Sequence, residues 1–419
     1  MKLKDKLSNY NFFCLFLYLT LIIGFLYEEN LNFGSYYDWT NAYKLPIKDF
    51  SENFTKTLLN YEKYGQRHSP VYLIFLSFFL DLNFSFDQIR LVHLHLSLSL
   101  VWIFYKCLRL KFQNIDKRYL QLLSLVIFLS PTFRSLSIWP DSRLPGLILF
   151  SLSIYYFLHF LKFNSLKYAW FTCFSLIISA YISPNFLVFF LYYFFFFFKR
   201  LEFKYFIILP FFTCLVGVPA VYYIFFLEVN FLFTNSFDTD IVDNNLFFLK
   251  YNLVDKILII SSIIFFHLLP ILFFKEIYNK FFGYIKKNLI KILIPLFLFF
   301  YFFAYKVFTG GGIFFQLSNI LFDNNYLFFI VCFFSYSFIM FLSKLNIVNL
   351  LLISLIIASN IQYSIYHKYY EPMILIVFFT LFQNLDLKFF FQDKKGLVYL
   401  YLFSSFYILA RIFKIFFLV

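Results

Sequence analysis

Residues able to do chemistry are few in this sequence, and they gather in short polar stretches between apolar runs. The stretch LSPTFRSLSIWPDSRLPGLILF, residues 129–150, holds Arg134, Asp141 and Arg143 framed by Pro131, Pro140 and Pro145. Two guanidinium groups on a proline-stiffened element suit a phosphate, which arginine binds in bidentate fashion. An Arg–Asp structural pair is the competing reading, and Asp141 supports the arginines in either case. A second stretch, YEENLNFGSYYDWTNAY, puts Glu28 and Glu29 at the end of the first apolar run and Asp38 among Tyr36, Tyr37 and Trp39. Asp38 in that aromatic setting is a candidate general base, with the two glutamates in support. The alternative is an ordinary aspartate in an interfacial aromatic belt. The region closes on YGQRHSPVYL, where Arg67 and His68 stand just before Pro70. They either donate to phosphate oxygens near a helix start or form a charged turn.

Later in the chain, NIQYSIYHKYYEPMILI offers His367, Lys368, Tyr370 and Glu371 at an external helix start, with Lys368 as a further phosphate ligand. The run TGGGIFFQLSN adds Gly310 to Gly312 and Gln316. Three glycines admit close approach of the backbone to a ligand, but the Lys and Ser/Thr of a nucleotide loop are missing. His93 and His95, two apart, project from different helix faces and do not form a metal pair, while His159 and His267 read as packed side chains. The acidic run NSFDTDIVDNN (Asp238, Asp240, Asp243) lacks calcium-hand spacing. The 5 cysteines lie in or beside apolar runs without ligand spacing. No metal and no cofactor are expected.

The elements that must position these groups are helices in a membrane. Of 419 residues, 62% are hydrophobic and 14% charged, a composition that excludes a soluble domain. With 73 phenylalanines, a run such as LYYFFFFFK reads as lipid-facing filler and not as a stacking platform. The net charge of +14 sits in short loops between apolar runs. That is the positive-inside signature of insertion, not a nucleic-acid footprint. The basic start MKLKDKL leads into an apolar run without a small-residue cleavage site, which reads as a retained first helix.

Apolar segments fall near 11–27, 91–105, 119–130, 144–161, 168–182, 185–198, 203–227, 257–274, 289–307, 325–342, 346–360, 371–384 and 397–417. The fold expected is an all-α polytopic membrane protein with about thirteen spans, because the alternation of a barrel is absent. A further run at 69–84 decides the topology. If it dips into the outer leaflet without crossing, the basic loops YKCLRLKFQNIDKRY, FKRLEFK and FKEIYNKFFGYIKK all face the cytoplasm, as charge placement demands. External loops then cover 28–90, 131–143, 228–256, 308–324 and 361–369. In the first, Phe50, Phe54, Leu58 and Tyr61 recur at helical spacing, which predicts an amphipathic helix on the outer surface. Arg411 and Lys414 in the last span are discordant with an external C-terminus. The chain reads as a single integral membrane domain over 1–419, without internal repeats.

Several of these features follow one another in a recognisable order. A first span precedes a large external loop with an early carboxylate, Asp38. A surface helix follows, then QRHSPVYLIFLSFF, then FDQIRLVHLHLSL with Arg90, then LSPTFRSLSIWPDSRLPGLILF. This layout resembles the GT-C glycosyltransferases, multi-span enzymes that use polyprenyl-phosphate sugars, such as the protein O-mannosyltransferase and aminoarabinose transferase groups. The resemblance covers roughly residues 1–200, the catalytic half; over 201–419, the variable transmembrane half, only span number and topology agree. It implies that a first-loop carboxylate is the base acting on the acceptor, taken here as Asp38 with Glu28 and Glu29 as the alternatives, since the loop has no Asp-Glu dipeptide. It further implies that basic residues hold the donor phosphate, which falls on Arg67 and His68; the charge of a departing phosphate adds Arg134, Arg143 and Lys368 as candidates, with Asp141, Glu28, Glu29, Gln316, Tyr370 and Glu371 in support. The Arg67–His68 pair stands where such enzymes carry a basic residue before Pro-Pro, although here Ser69 replaces the first proline. The implied reaction is inverting transfer of a sugar from a polyprenyl phosphate to an envelope acceptor. It would take place on the outer face of a bacterial cytoplasmic membrane, with no metal. A transporter or lipid flippase, an envelope polysaccharide polymerase or ligase, and a non-catalytic scaffold are the alternatives.

Overall fold

The computed structural model describes residues 2–65, 68–229, 253–307, 310–360, 364–383, 390–391 and 395–417, and among them no strand occurs. The chain is all-helical. Six helices among the described residues are long and apolar enough to cross a membrane. A seventh is added if the pair Lys117–Leu129 and Pro131–Ile138, bent by 70°, counts as one span. Thirteen apolar runs therefore do not become thirteen full-length helices. Several of the runs fold as apolar helices of 10–17 residues, such as Leu166–Ile182 and Ile347–Ala358, short of the ~20 residues that a bilayer core asks for. The chain divides into two compact units, Met1–Val242 with Ser404–Val419, and Asp243–Phe403. The boundary lies past residue 200, and the end of the chain rejoins the first unit.

The first unit starts with α1 (Lys2–Leu26), α2 (Phe33–Tyr37) and a π-helical turn, Asp38–Tyr43. Next come α3 (Lys44–Glu52), α4 (Phe54–Leu59) and α5 (Pro70–Asp81), and then α6 (Phe86–Lys111), α7 (Lys117–Leu125) and α8 (Pro131–Ile138). The unit continues with α9 (Arg143–Phe163), α10 (Leu166–Ile182), α11 (Phe190–Arg200) and α12 (Phe203–Val221). Helix starts are written locally. Ser85 and Gln88 close a capping box on α6, and Ser69 and Ser130 accept amide protons at α5 and α8, each followed by a proline at the first helical position. In the middle of the unit α9 packs on α6 and α10. A Cβ at Gly146 would lie 2.6 Å from Ser183 Cβ, and Ser179 Oγ donates to the Gly146 carbonyl at 2.7 Å. Small residues that let backbones approach, fastened by hydroxyls, are how helices associate where lipid removes the hydrophobic drive.

The surface helix anticipated over Phe50–Tyr61 is broken. Asn53 leaves the helical region (φ −152°, ψ 86°) and its Oδ1 accepts the Lys56 amide at 3.1 Å, so α3 ends and α4 begins there. An asparagine favours that cap over a helix interior. The stripe divides accordingly: Phe50 and Tyr61 are buried, whereas Phe54 stays exposed.

Helix α5 has 12 residues, or about 18 Å at ~1.5 Å per residue, against a hydrocarbon core of ~30 Å. Asn83, at φ 64°, then reverses the chain into α6. The length favours a helix that enters one leaflet and returns. An Asn83→Cys variant in a cysteine-free background should react with an impermeant maleimide from the same side as a cysteine at Asn60. Labelling from the opposite side only would mean that α5 crosses.

The second unit contains α13 (Leu253–Leu268), which runs on as a 3₁₀ turn to Phe273, followed by α14 (Lys275–Phe302), α15 (Gly312–Phe322) and α16 (Tyr326–Leu345). Then come α17 (Ile347–Ala358), α18 (Met373–Thr380) and α19 (Lys395–Phe417), whose residues from 404 onward belong to the first unit. Asn288 interrupts α14 (φ −118°, ψ 17°), separating its lysine-rich first part from the apolar remainder. Arg411 of α19 donates from Nε and Nη2 to the Leu31 carbonyl, at 3.2 and 2.7 Å. A charge that looked misplaced near the end of an apolar span therefore serves the buried backbone just beyond α1.

Candidate functional site

The stretch 131–142 is not the surface loop that its charges indicated. Pro131–Ile138 forms the two-turn helix α8, and every residue from Pro131 to Ser142 is buried. The arginine charge is tolerated there because a carboxylate meets it. Arg134 Nε donates to Glu29 Oε1 at 2.6 Å and Nη2 donates to Glu29 Oε2, while Nη1 and Nη2 reach the Thr20 hydroxyl and carbonyl at 3.1 and 2.9 Å. The fork lies against α1 at Gly24, where a Cβ would come within 2.5 Å of Glu29 Oε2. Trp139 adds a second fastening, its Nε1–H donating to the Glu29 carbonyl at 2.9 Å. Over its ring, at 3.8 Å from the centroid, lies the guanidinium of Arg90, which also pairs with Asp87 at 3.1 Å and Glu28 at 3.5 Å. Glu28 and Glu29 thus end on different arginines.

The other anticipated groups converge beside this wall. Asp38 opens the π turn, and its Oδ2 lies 3.8 Å from His68 Nε2. His68 Nδ1 is 3.4 Å from Ser142 Oγ, and its ring sits edge-on to Tyr43 at 5.1 Å. Its backbone is pinned because the Tyr61 hydroxyl donates to the His68 carbonyl at 2.8 Å. Asp141 accepts the Arg143 amide at 2.9 Å and pairs with Arg143 Nη1 at 3.2 Å, which also places an anion at the N-terminus of α9. Exposure separates the two roles open to these side chains. Those of Asp38, His68 and Arg143 keep 19%, 15% and 14% of their surface, whereas Asp141 keeps 0% and Arg134 6%. The first three can meet a ligand; the last two hold the frame.

Tyr43 joins the cluster from the far end of the π turn. Burial, then the carboxylates of Asp141 and Asp38, push its phenol well above the ordinary tyrosine range, and the opposing effects of Ser142 and Arg143 are smaller. It therefore stays neutral, with its hydroxyl 3.4 Å from both the amide and the Oγ of Ser142. The order carboxylate, imidazole, hydroxyl has the sequence of groups of a nucleophilic triad. However, Ser142 is 3% exposed, its 3.4 Å contact with His68 is long and the 3.8 Å between Asp38 and His68 exceeds hydrogen-bond length, so the Ser142 hydroxyl buttresses the imidazole.

Tyr43, Ser142 and Tyr72 escaped the sequence reading, and His93 was weighed there only as half of a metal pair with His95. Residues five apart, such as Asp38 and Tyr43, share a face in a π turn but not in an α-helix. Tyr72 and His93 pair through O–H and Nδ1 at 2.5 Å, and His93 Nε2–H donates to the Leu136 carbonyl at 2.6 Å, tying α5 and α6 to α8. His95, by contrast, meets the Tyr18 hydroxyl at 3.0 Å. No known protein family, curated protein or solved structure matches this chain.

Arg67 and the acidic run 238–243 lie outside the described residues. Lys368, Tyr370, Glu371 and Gln316 belong to the second unit. The first three are buried there, not exposed at a helix start. Gln316 Nε2 donates to the Gly310 carbonyl at 3.2 Å, and the Gly311 amide donates to the Ile365 carbonyl at 2.9 Å, so the glycine run presses on its own fold. Within the first unit, the Arg134–Glu29 fork should matter most for stability. Arg134→Ala leaves a partly buried carboxylate behind and should cost about 2–4 kcal/mol, read as a lower unfolding temperature in detergent. Adding Glu29→Gln should recover part of that loss, and an unchanged unfolding temperature in the single variant would refute the fork's role.

Proposed function

We propose that this protein is a membrane glycosyltransferase that moves a sugar from a polyprenyl-phosphate donor to an envelope acceptor, working at the outer face of a bacterial cytoplasmic membrane. The observation that carries the reading is the convergence of Asp38, His68 and Arg143. They come from three separated segments and meet as partly exposed groups on a buried frame. In this reading Asp38 takes the proton from the acceptor hydroxyl, the acceptor oxygen bonds to the anomeric carbon, and the bond from that carbon to the phosphate oxygen breaks. Arg143 and His68 meet the negative charge gathering on the departing phosphate. Displacement from the side opposite the phosphate inverts the anomeric centre. Arg134 is assigned to the frame, since Glu29 already occupies its fork. The thirteen-span threading is retained as part of the proposal, with the short apolar helices as half-spans or tilted pairs.

The reading is tested with membranes or purified protein and a polyprenyl-phosphate sugar radiolabelled in the sugar. Asp38→Asn should lower transfer by about 10²–10⁴-fold and leave donor binding nearly unchanged. Arg143→Ala should weaken donor binding as well as turnover, with partial recovery in Arg143→Lys. Full transfer in both Asp38→Asn and Arg143→Ala would overturn the assignment. Movement of intact donor across the bilayer, insensitive to Asp38→Asn, would favour a flippase instead.

A further inference from the structure

The second unit brings together three side chains that the proposed transfer site does not use. His267 Nε2 and His367 Nε2 lie 2.8 Å apart, Glu371 Oε2 is 3.8 Å from His367 Nε2, and all three ligand atoms fall within 4.8 Å of one another. The local chain explains the geometry. A 3₁₀ turn over His367–Tyr369 is followed by Glu371 N–H donating to the His367 carbonyl at 3.4 Å, so His367 and Glu371 face the same way. Opposite them, α13 supplies His267.

The depth of the site is informative. Lys256, near the start of α13, donates from Nζ to the Asn360 carbonyl. His267 lies about 16 Å further along the same helix at ~1.5 Å per residue, yet it meets His367. His367 therefore lies well along α13 from the level of Asn360, and not at the level where the sequence placed an external loop. An imidazole on α13 and an imidazole and a carboxylate on the irregular segment thus converge inside an apolar unit, where ionisable side chains mark function. Phe266 packs on both imidazoles, with ring centroids at 5.3 and 5.7 Å, and Phe314 and Phe403 pack on Phe266.

We propose that His267, His367 and Glu371 form a binding site for a divalent transition-metal ion, with Zn²⁺ as the best fit. Two neutral imidazole nitrogens that face each other need either one proton between them or one shared cation. A cation takes both nitrogens and the Glu371 carboxylate as ligands of one centre, whereas a shared proton joins the two nitrogens and leaves the carboxylate as an ion-pair partner 3.8 Å from His367. Two nitrogens at ~2.1 Å from a tetrahedral zinc stand ~3.4 Å apart, so a small rotation of either ring closes the set. Two nitrogens and one oxygen suit zinc, iron or cobalt better than magnesium or calcium, which prefer all-oxygen cages. Three protein ligands leave a fourth position for water or a phosphate oxygen. The site revises the reading of His267 as a packed side chain.

The test uses the full-length protein in detergent, stripped with chelator and then dialysed against Zn²⁺ or Co²⁺. Elemental analysis should give about one metal per chain, and Co²⁺ should bring visible d–d absorption, while Mg²⁺ in excess should not compete. His267→Ala, His367→Ala and Glu371→Gln should each reduce the bound metal at least ~10-fold, whereas Asp38→Asn should retain it. Zn²⁺ should also raise the unfolding temperature of the wild-type protein and EDTA should reverse the rise, a readout independent of whether the variants fold. Absence of stoichiometric Zn²⁺ and Co²⁺ in the reloaded wild type, or full retention in the double variant His267→Ala/His367→Ala, would leave only a hydrogen-bonded trio and overturn the proposal. Because Asp38→Asn is the retained control, failure of the transfer reading and failure of the metal reading give different results.

Discussion

The fork between Arg134 and Glu29 is the contact on which the first unit's arrangement depends. A guanidinium at 6% exposure in an apolar unit is tolerable only with its charge met and its donors filled, and Glu29 with Thr20 does both. The consequences spread from there. The chain after α1 must turn back onto α8, the Glu29 carbonyl becomes the acceptor for Trp139, and Ser135 Oγ accepts the Asn32 amide at 2.8 Å. These links set where the first loop leaves the end of α1. They also fix α8 as a wall and not as a strap on the surface. Gly24 permits the fork by offering no Cβ.

Upon that wall the candidate site is assembled from pieces with different loyalties. The π turn carries Asp38 at one end and Tyr43 at the other. The approach to α5 carries His68, pinned by Tyr61, and the entry to α9 carries Ser142 and Arg143. Asp141 divides the work. Wholly buried, it steadies Arg143 and the first turn of α9, so a partly exposed cation remains in place to face a ligand. Tyr43, held neutral by burial and by two nearby carboxylates, supplies a hydroxyl without adding charge. The result is a carboxylate, an imidazole and a guanidinium, each partly exposed, beside a frame whose charges are paired, the arrangement on which the proposed transfer rests.

In the second unit the same problem of charge in an apolar interior has a different answer. Lys256 and Asp255 lie buried near the start of α13, where Lys256 meets the Asn360 carbonyl and Asp255 Oδ1 accepts the Ala304 amide at 3.0 Å. Further along the helix, the segment 364–371 buries Lys368 and Glu371 and brings His367 to His267. Polar groups here are matched to loop backbone and to each other at two depths along one helix.

Much of the fold class was legible in the sequence. Long apolar runs, prolines at helix starts and serine or asparagine caps determine helices because backbone polarity in an apolar setting leaves no other choice. The cap at Asn53 was written there too, although the apolar stripe across it pointed to one continuous helix. The candidates Asp38, His68, Asp141 and Arg143 were legible as residue types, and the charge of the loops led to the expectation that they share one side. What the sequence did not hold is which cation answers which anion. Arg134 and Asp141 look equally available in the string, and only the packing of α8 against α1 commits Arg134 to Glu29 while Asp141 goes to Arg143. The meeting of His267 with His367 was likewise invisible, since a hundred residues separate them and neither has ligand spacing with its neighbours. Composition and local pattern determined that this chain is a helical membrane protein with its reactive groups in polar stretches. Tertiary structure alone decided which of those groups are consumed by the fold and which stay reachable, because pairing in an apolar interior depends on what stands opposite and not on what stands next in sequence.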